Sequence, residues 1–366
     1  MGCPESWSFS ILLPFYSPGK TLTTVGILQI NPHTFWKRGG GEIHATKYLE
    51  LLKNHGIQAE RFNFNNPTKY DILHFFGANV QLAEWGKYAM KEGIKVVGTP
   101  ILFPTNNTLK YKAFLKLDQY LPFPTTLRIR KEILCHTDHL IANTHAEKQY
   151  LSDAYGIDQS HISVLGTGVD QASFEADPKQ EDLPEVIRQS GPYVLMVGRV
   201  TPLKGQLTVL RKLSETSIPL VLCGPPDLYE QGYIQEIREW VRKKPGQFFW
   251  IEGLPPDSAA LKALYRFAQC HLLFSDTDVA PLVNMEAAAF GTLVVSKPHI
   301  TVTEILGSYG RYVTETNLVS GLESVLGLKQ SERTAEVSRL RAHVQSTFTW
   351  EKIVENTVHI YHSLDV

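Results

Sequence analysis

"LLFSDTDVAPLVNMEAAAFGTLVV", residues 272–295, fits two incompatible patterns. An apolar run ending in Asp276-Thr277-Asp278 has the form of an Asp-x-Asp, two carboxylates set to hold a divalent metal under a nucleotide's phosphates. The same stretch also reads Asp278, seven residues, Glu286, a pair that grips a nucleotide-bound sugar with no ion. The two readings imply different folds, so the surroundings of the stretch decide between them.

Working outward, apolar runs alternate with helical patterns on both sides. From residue 193 they are YVLMVG (193–198), a helix from about 204, PLVLCG (219–224), a helix at 230–243 and FFWIEG (248–253). A helix at 258–269, HLLFS (271–275), a helix at 282–290 and TLVVS (292–296) complete the series. Earlier in the chain VGILQI (25–30), DILHFF (71–76), IKVVG (94–98) and DHLIA (138–142) repeat the arrangement. Ile43, Tyr48, Leu51 and Leu52 fall at helical spacing, and Gly56 closes that helix. Such alternation indicates parallel sheets covered by helices, with ligands beyond the carboxyl ends of the strands. Between the halves, EADPKQEDLPEVIRQSGP (175–192) is polar, acidic and carries three prolines, which marks a boundary. The class expected is α/β, with two Rossmann-like doubly wound domains.

Bulk properties narrow the function. A chain of 366 residues is comfortable as two cores. A net charge of −1 argues against a nucleic-acid binder. Residues 1–131 nevertheless hold sixteen Lys/Arg against eight Asp/Glu, while 132–185 is dominated by acids. That asymmetry fits either solvated helix faces or a basic half that meets an anionic acceptor or a membrane surface. Cysteines 3, 135, 223 and 270 show no metal-like spacing, and a reducing, cytoplasmic compartment suits them. No run reaches the roughly 18 apolar residues of a membrane span. The opening MGCPES matches an acylation pattern too short to weigh much, and residues 1–24 read as an extension before the first strand.

Four glycine turns end strands: RGGGE (38–42), VGRVTPLKG (197–205), CGPP (223–226) and EGLPP (252–256). A glycine turn feeding a helix N-terminus offers backbone N–H groups and a partial positive charge to anions. The second turn adds two cations, Arg199 and Lys204, placed to meet the charge that grows on a departing diphosphate. The plain alternatives are that Arg199 pairs with a nearby carboxylate and Lys204 opens an exposed helix. Pro281 suits a first helical position, so that Leu282 and Val283 would present free N–H groups to a phosphate. Glu286, one turn into that helix, is placed to accept a ribose diol, and Asp278 to face the sugar beyond the phosphates. As plain alternatives, Asp278 is an N-cap and Glu286 a first-turn acid.

GRVTPLKG followed by S-x2-D-x7-E-A-x3-G-x-x-V-V resembles the retaining glycosyltransferases of family 4, the glycosyl transferases group 1, which have the GT-B fold. RGGGE resembles the family's first-domain Gly-Gly-x-Glu loop, and DILHFF its Asp-x-x-His strand. VLGTGVDQASF (164–174) is similar to its strand-to-linker signature, and FTWEKIVENTVHIYHSL to the terminal helix that crosses back to the first domain. The resemblance implies two Rossmann-like domains facing a central cleft. The acceptor-side domain would span 1–180, completed by the helix at 348–366, and the donor-binding domain 185–346. Arg199 and Lys204 would hold the donor diphosphate, Glu286 the ribose and Asp278 the transferred sugar. Gly39 and Gly40 would close the phosphate side from the first domain. Gly198 would lie at the phosphate turn, and Gly224, Gly253 and Leu254 would border the nucleoside. No metal or other cofactor is then required, and Asp276 becomes a loop residue. The partners implied are a nucleotide-sugar donor and a hydroxyl-bearing acceptor, anionic or membrane-associated if the basic half is functional.

Four departures from the family pattern cluster around the sugar. Asp278 stands where Glu is usual, Pro281 where the family has Gly, ITVTE where Gly-Gly often precedes Glu304, and Pro100 near a usual His. They imply an unusual sugar or, as the alternative, a catalytically impaired nucleotide-sugar-binding partner. A metal-dependent Asp-x-Asp transferase is the remaining competitor.

Overall fold

The computed structural model describes residues 23–29, 40–104, 108–118 and 120–364. The opening MGCPES and Gly39 lie outside them. Two six-stranded, wholly parallel sheets form the molecule. The first contains β1 (Thr24–Gln29), β2 (Gln58–Arg61), β3 (Ile72–Phe76), β4 (Lys95–Thr99), β5 (His139–Ala142) and β6 (Ile162–Val164), in the order β2-β1-β3-β4-β5-β6. The second contains β7 (Val194–Val197), β8 (Leu220–Cys223), β9 (Phe248–Ile251), β10 (Cys270–Leu273), β11 (Leu293–Ser296) and β12 (Arg311–Tyr312), in the order β12-β11-β10-β7-β8-β9. The central strands are uninterrupted apolar runs because helices cover both faces, and β3, β8, β10 and β11 are buried along their whole length.

Three strands fall outside the apolar-run pattern. β2 is the edge segment QAER with only Ala59 buried, β6 has three residues and β12 has two. An edge strand buries little, so its sequence carries little apolar signal. The first helix begins earlier than its apolar spacing suggests, at Gly40, and runs to Leu51. A 3-10 turn continues it over Leu52–His55, and Gly56 closes it at φ 74°, a conformation a side chain would strain.

The terminal helix Trp350–His362 returns to the first sheet. Trp350, Ile353, Val354, Val358 and Tyr361 join the core formed by Val25, Ile27, Tyr48, Ile72 and Phe76. Two buried polar bonds fix the docking, His74 Nδ1 with the Tyr361 hydroxyl at 2.6 Å and Tyr48 with Thr357 at 2.9 Å, while His44, bonded to Thr167, stands edge-on to Trp350 at 4.8 Å. Burial pushes both His44 and His74 down to about 3, so they are neutral hydrogen-bonding groups. Among the described residues no helix is long and apolar enough to cross a membrane.

The two halves also meet directly, through helices. Glu304, after β11, accepts the backbone N–H groups of His145 at 2.5 Å and Ala146 at 3.0 Å, the first turn of the helix His145–Tyr155. A carboxylate at a helix N-terminus is favoured by the helix dipole, and here it ties the second sheet's helix to the first sheet's.

Candidate active site

In the second sheet β8 lies on one side of β7 and β10 on the other, so the chain reverses direction between β7 and β10. Loops leaving two such strands part and open a crevice at their carboxyl ends. Arg199 and Lys204 follow β7, and Asp276 and Asp278 follow β10.

Local packing brings these loops together. Pro202–Lys204 form one 3-10 turn that ends at Gly205, φ 67°. A Cβ at Gly205 would lie 2.5 Å from the Phe274 carbonyl oxygen, so only glycine lets this turn rest on the end of β10. Lys204 thereby reaches across, and its Nζ lies 2.5 Å from Asp278 Oδ2. Arg199, earlier on the same loop, is half-exposed and makes a loose 3.9 Å contact with Asp227. The loop after β8 is held as tightly. A Cβ on Gly224 would fall 2.0 Å from the Gly198 carbonyl oxygen, and the Trp250 indole N–H donates to the Gly224 carbonyl at 2.9 Å. Gly253 and Leu254 follow β9 on the same edge; Leu254 packs partly against the core, and the space at the Gly253 Cα is open.

The helix Leu282–Ala289 starts beside Asp278. Pro281 sits one position before it rather than inside it, with ψ 80°. That geometry turns the Leu282 N–H back to the Ala280 carbonyl at 2.9 Å. Leu282 is therefore not the free donor its position suggests, and Val283 is the helix-start donor without an acceptor among the described residues. Glu286 is half-buried, and its Oε2 accepts the Tyr265 hydroxyl proton at 2.6 Å. Burial holds the Glu286 carboxyl above its ordinary value, opposed by the Tyr265 hydrogen bond. From the first sheet, Gly40 opens the helix Gly40–Leu51.

Both aspartates of the Asp-x-Asp carry a lysine. Lys204 holds Asp278, and Lys297, after β11, pairs with Asp276. Among the described residues there is no group of three or more His, Cys, Asp or Glu side chains suited to a metal ion.

Three contributors escape the motifs. Tyr265, which fixes Glu286, is a buried helix residue stacked on Phe290 at 5.8 Å, and its sequence context reads only as core. His271 braces the strand ends: its Nε2 accepts the Val197 N–H at 3.3 Å, and Nδ1 meets Asn284 Oδ1 at 3.0 Å. Asn284 in turn donates to Ser296 at 3.0 Å, so β7, β10 and β11 are tied beneath the site. Burial pushes His271 down to about 3.

His299 is the third. The Thr301 hydroxyl donates its single proton to the Asp278 carbonyl, so the 2.9 Å contact between Thr301 Oγ1 and His299 Nδ1 requires Nδ1 to be the donor. Nε2 is then a bare lone pair. It is buried and has no partner among the described residues. Burial pulls the imidazole below its ordinary value, with Asp278 opposing and Lys204 assisting. Across the seam, Phe103 from the loop after β4 stands edge-on at 5.7 Å. That loop carries Ile101 at φ 54°, a costly conformation for a branched side chain, and the buried Glu147 anchors it by accepting the Leu102 N–H at 2.6 Å.

Comparison with known proteins follows the same division. The family model of glycosyl transferases group 1 matches residues 179–337, and that of glycosyltransferase family 4 matches residues 56–173. D-inositol 3-phosphate glycosyltransferase of Acidothermus cellulolyticus is 25% identical over 311 residues, 81% of this chain and 67% of that protein. The enzyme of the same name from Streptosporangium roseum is 28% identical over 249 residues, covering 63% and 54%. The chain thus spans between about half and two thirds of the length of these relatives. Among solved structures, Anabaena HepE in complex with UDP superposes with a TM-score of 0.72 at 16% identity, covering 93% of this chain and all of that one. Sucrose-phosphate synthase from Thermosynechococcus elongatus gives 0.71 at 15% identity, covering 93% and 99%. At such identities the structural likeness speaks for the fold. With one family model on each sheet and that fold beneath both, the chain belongs to the GT-B glycosyltransferases of group 1 and family 4.

Proposed function

We propose that the protein is a retaining, metal-independent glycosyltransferase that moves a hexose-like sugar from a nucleotide-diphosphate donor to a hydroxyl acceptor. Residues 1–180 with 348–366 would form the acceptor side and 185–346 the donor side. The observation that carries this reading is the Lys204–Asp278 pair, formed between the loops after β7 and β10 where the second sheet reverses, with Arg199 on the first of those loops and Glu286 in the helix that follows the second. HepE structures with UDP and with UDP-glucose, on the same fold, support a nucleotide-sugar donor.

In this mechanism the bond between the sugar's anomeric carbon and the diphosphate oxygen breaks while the acceptor oxygen bonds to that carbon on the same face. The acceptor's proton passes to the leaving phosphate oxygen. No side chain attacks. Arg199 and Lys204 stabilise the charge that develops on the diphosphate, with Val283 N–H and the turn at Gly198 beside it and Gly40 opposite. Glu286, fixed by Tyr265, takes the ribose hydroxyls through Oε1, and Gly224, Gly253 and Leu254 border the base. Asp278 and the His299 Nε2 lone pair receive hydroxyl protons of the sugar. Lysine pairing of both Asp276 and Asp278 supports a metal-free site, since each carboxylate already has a side-chain cation as partner.

A thermal-shift screen over nucleotides and nucleotide-sugars, followed by transfer assays with the stabilising donor, tests the proposal. A donor at one hundred times its dissociation constant adds about 2.7 kcal/mol. Donor binding with neither transfer nor slow donor hydrolysis, across a broad acceptor panel, favours the impaired-partner reading that the Asp278 and Pro281 departures motivate.

A further inference from the structure

The helix Thr108–Asp118 meets the protein along one side only. Tyr111 and Leu115 pack toward the helix His145–Tyr155, with the Tyr111 ring 6.1 Å from Tyr150. Asp118 is buried and accepts the Thr125 hydroxyl proton at 2.6 Å, which pins the following turn. The opposite face is open: Phe114 is 44% exposed and Leu117 68%. The turn continues the surface with Tyr120 at 80% and Phe123 at 61%.

Basic residues surround these side chains. Lys110, Lys112 and Lys116 are exposed on the same helix, and Arg128 and Lys131 line an adjoining open groove of about 610 Å³ with Leu121, Pro122 and Pro124. None of the five is in an ion pair with another described residue. Asp118 is the sole carboxylate between residues 108 and 131, and it points inward. Glu132, next along, is held by Lys87 at 2.7 Å.

Single exposed apolar residues are ordinary, but four large ones within ten residues form a patch that water disfavours. These side chains project from a helix and a turn instead of lining a groove, so they suit a deformable partner. Lysines beside them extend apolar stems and carry their charge outward. Projecting aromatic and leucine side chains rimmed by unpaired cations match the interface of a negatively charged bilayer in both polarity and charge. We propose that this face, residues 110–118 and 120–123 with Arg128 and Lys131, docks the protein on an anionic lipid membrane. The chain enters the helix from the Ile101–Pro104 loop that meets His299, so docking would bring the lipid surface to the acceptor side of the cleft.

The test is co-sedimentation of the full-length protein with vesicles of phosphatidylcholine alone or mixed with phosphatidylglycerol. Binding is expected only to the mixed vesicles and should weaken as salt rises. The triple variant Lys110→Gln, Lys112→Gln, Lys116→Gln should bind roughly a hundredfold less, about fivefold per charge. Leu117→Ser with Phe123→Ser should lower binding even at low salt while leaving Tm unchanged, because both side chains are exposed. Nucleotide binding, the control, should persist in every variant, which separates this proposal from the transferase reading. Absence of vesicle binding by the wild type would overturn it. So would apolar variants that keep full vesicle binding but dissociate a dimer, or that lose Tm because another segment of this chain covers the patch.

Discussion

Lys204 Nζ and Asp278 Oδ2 lie 2.5 Å apart, joining loops 74 residues apart in the chain at the mouth of the crevice. On the proposed reading, the carboxylate and a donor diphosphate compete for one cation. Removing the negative charge should release the lysine to the phosphates. Asp278→Asn is expected to tighten nucleoside-diphosphate binding severalfold, on the scale of about 1 kcal/mol for a partly exposed pair, while slowing transfer. Calorimetric titration checks this. Weaker nucleotide binding in the variant would place Asp278 among the nucleotide's own contacts.

Tyr265 predicts a specific donor effect. Tyr265→Phe keeps the stack on Phe290 but removes the hydroxyl that holds Glu286. Losing a hydrogen bond to a charged group costs about 1.5–3 kcal/mol, so donor affinity should fall at least tenfold. A donor lacking ribose hydroxyls should show no such loss. Equal losses for both donors would remove Glu286 from the ribose.

His299 offers a lone pair rather than a charge. His299→Phe should raise KM for the sugar donor about tenfold, the scale of one buried hydrogen bond, and leave binding of the sugar-free nucleotide unchanged. His299→Gln, whose amide oxygen reaches a similar position, should restore part of it. Protonation fills the lone pair, so the wild-type KM should rise as pH falls through the imidazole's lowered range, which burial sets and the charges of Asp278, Lys204, Asp276 and Lys297 adjust. A KM identical in all three proteins would exclude His299 from the sugar site.

Acid lability should be steep. His44, His74 and His271 are pushed from an ordinary 6.5 down to about 3, so between those values the unfolded chain binds protons that the folded one refuses. Stability is complete above 6.5 and declines as pH falls toward 3. Glu147, pushed up to about 7 by burial, acts oppositely between 7 and its ordinary 4.5 and offsets one histidine there. The net loss from these groups is roughly 3 kcal/mol per pH unit between about 6 and 5. Urea unfolding across that range checks it, and a flat profile would contradict the burial of the three imidazoles.

Much of this architecture is legible from residues 193–296, because strands covered on both faces must be continuous apolar runs and glycine turns punctuate them. β10 and β11, which flank the opening stretch, are the plainest cases. β2 is not legible, since QAER buries one side chain. The motif positions Arg199, Lys204, Asp278 and Glu286 could be named from the sequence, but their partners could not. The Lys204–Asp278 contact depends on Gly205 resting on Phe274, a fact of tertiary packing. The sequence pattern puts Pro281 at the first helical position, whereas it precedes the helix with a ψ that redirects the Leu282 N–H to Ala280. Tyr265 reads as core and His299 as a loop residue. Each acquires a role only through a hydrogen bond formed in space.

The central claim is that fixed side-chain cations, with no ion, take up the charge of the departing diphosphate. Single-turnover transfer rates of the wild type and of Lys204→Ala and Arg199→Ala, all with excess EDTA, test it most directly. The account predicts a wild-type rate indifferent to EDTA and variants about a hundredfold slower or more, the scale for losing one preorganised donor. A wild type silenced by EDTA and revived by a divalent metal, or variants as fast as the wild type, would contradict it.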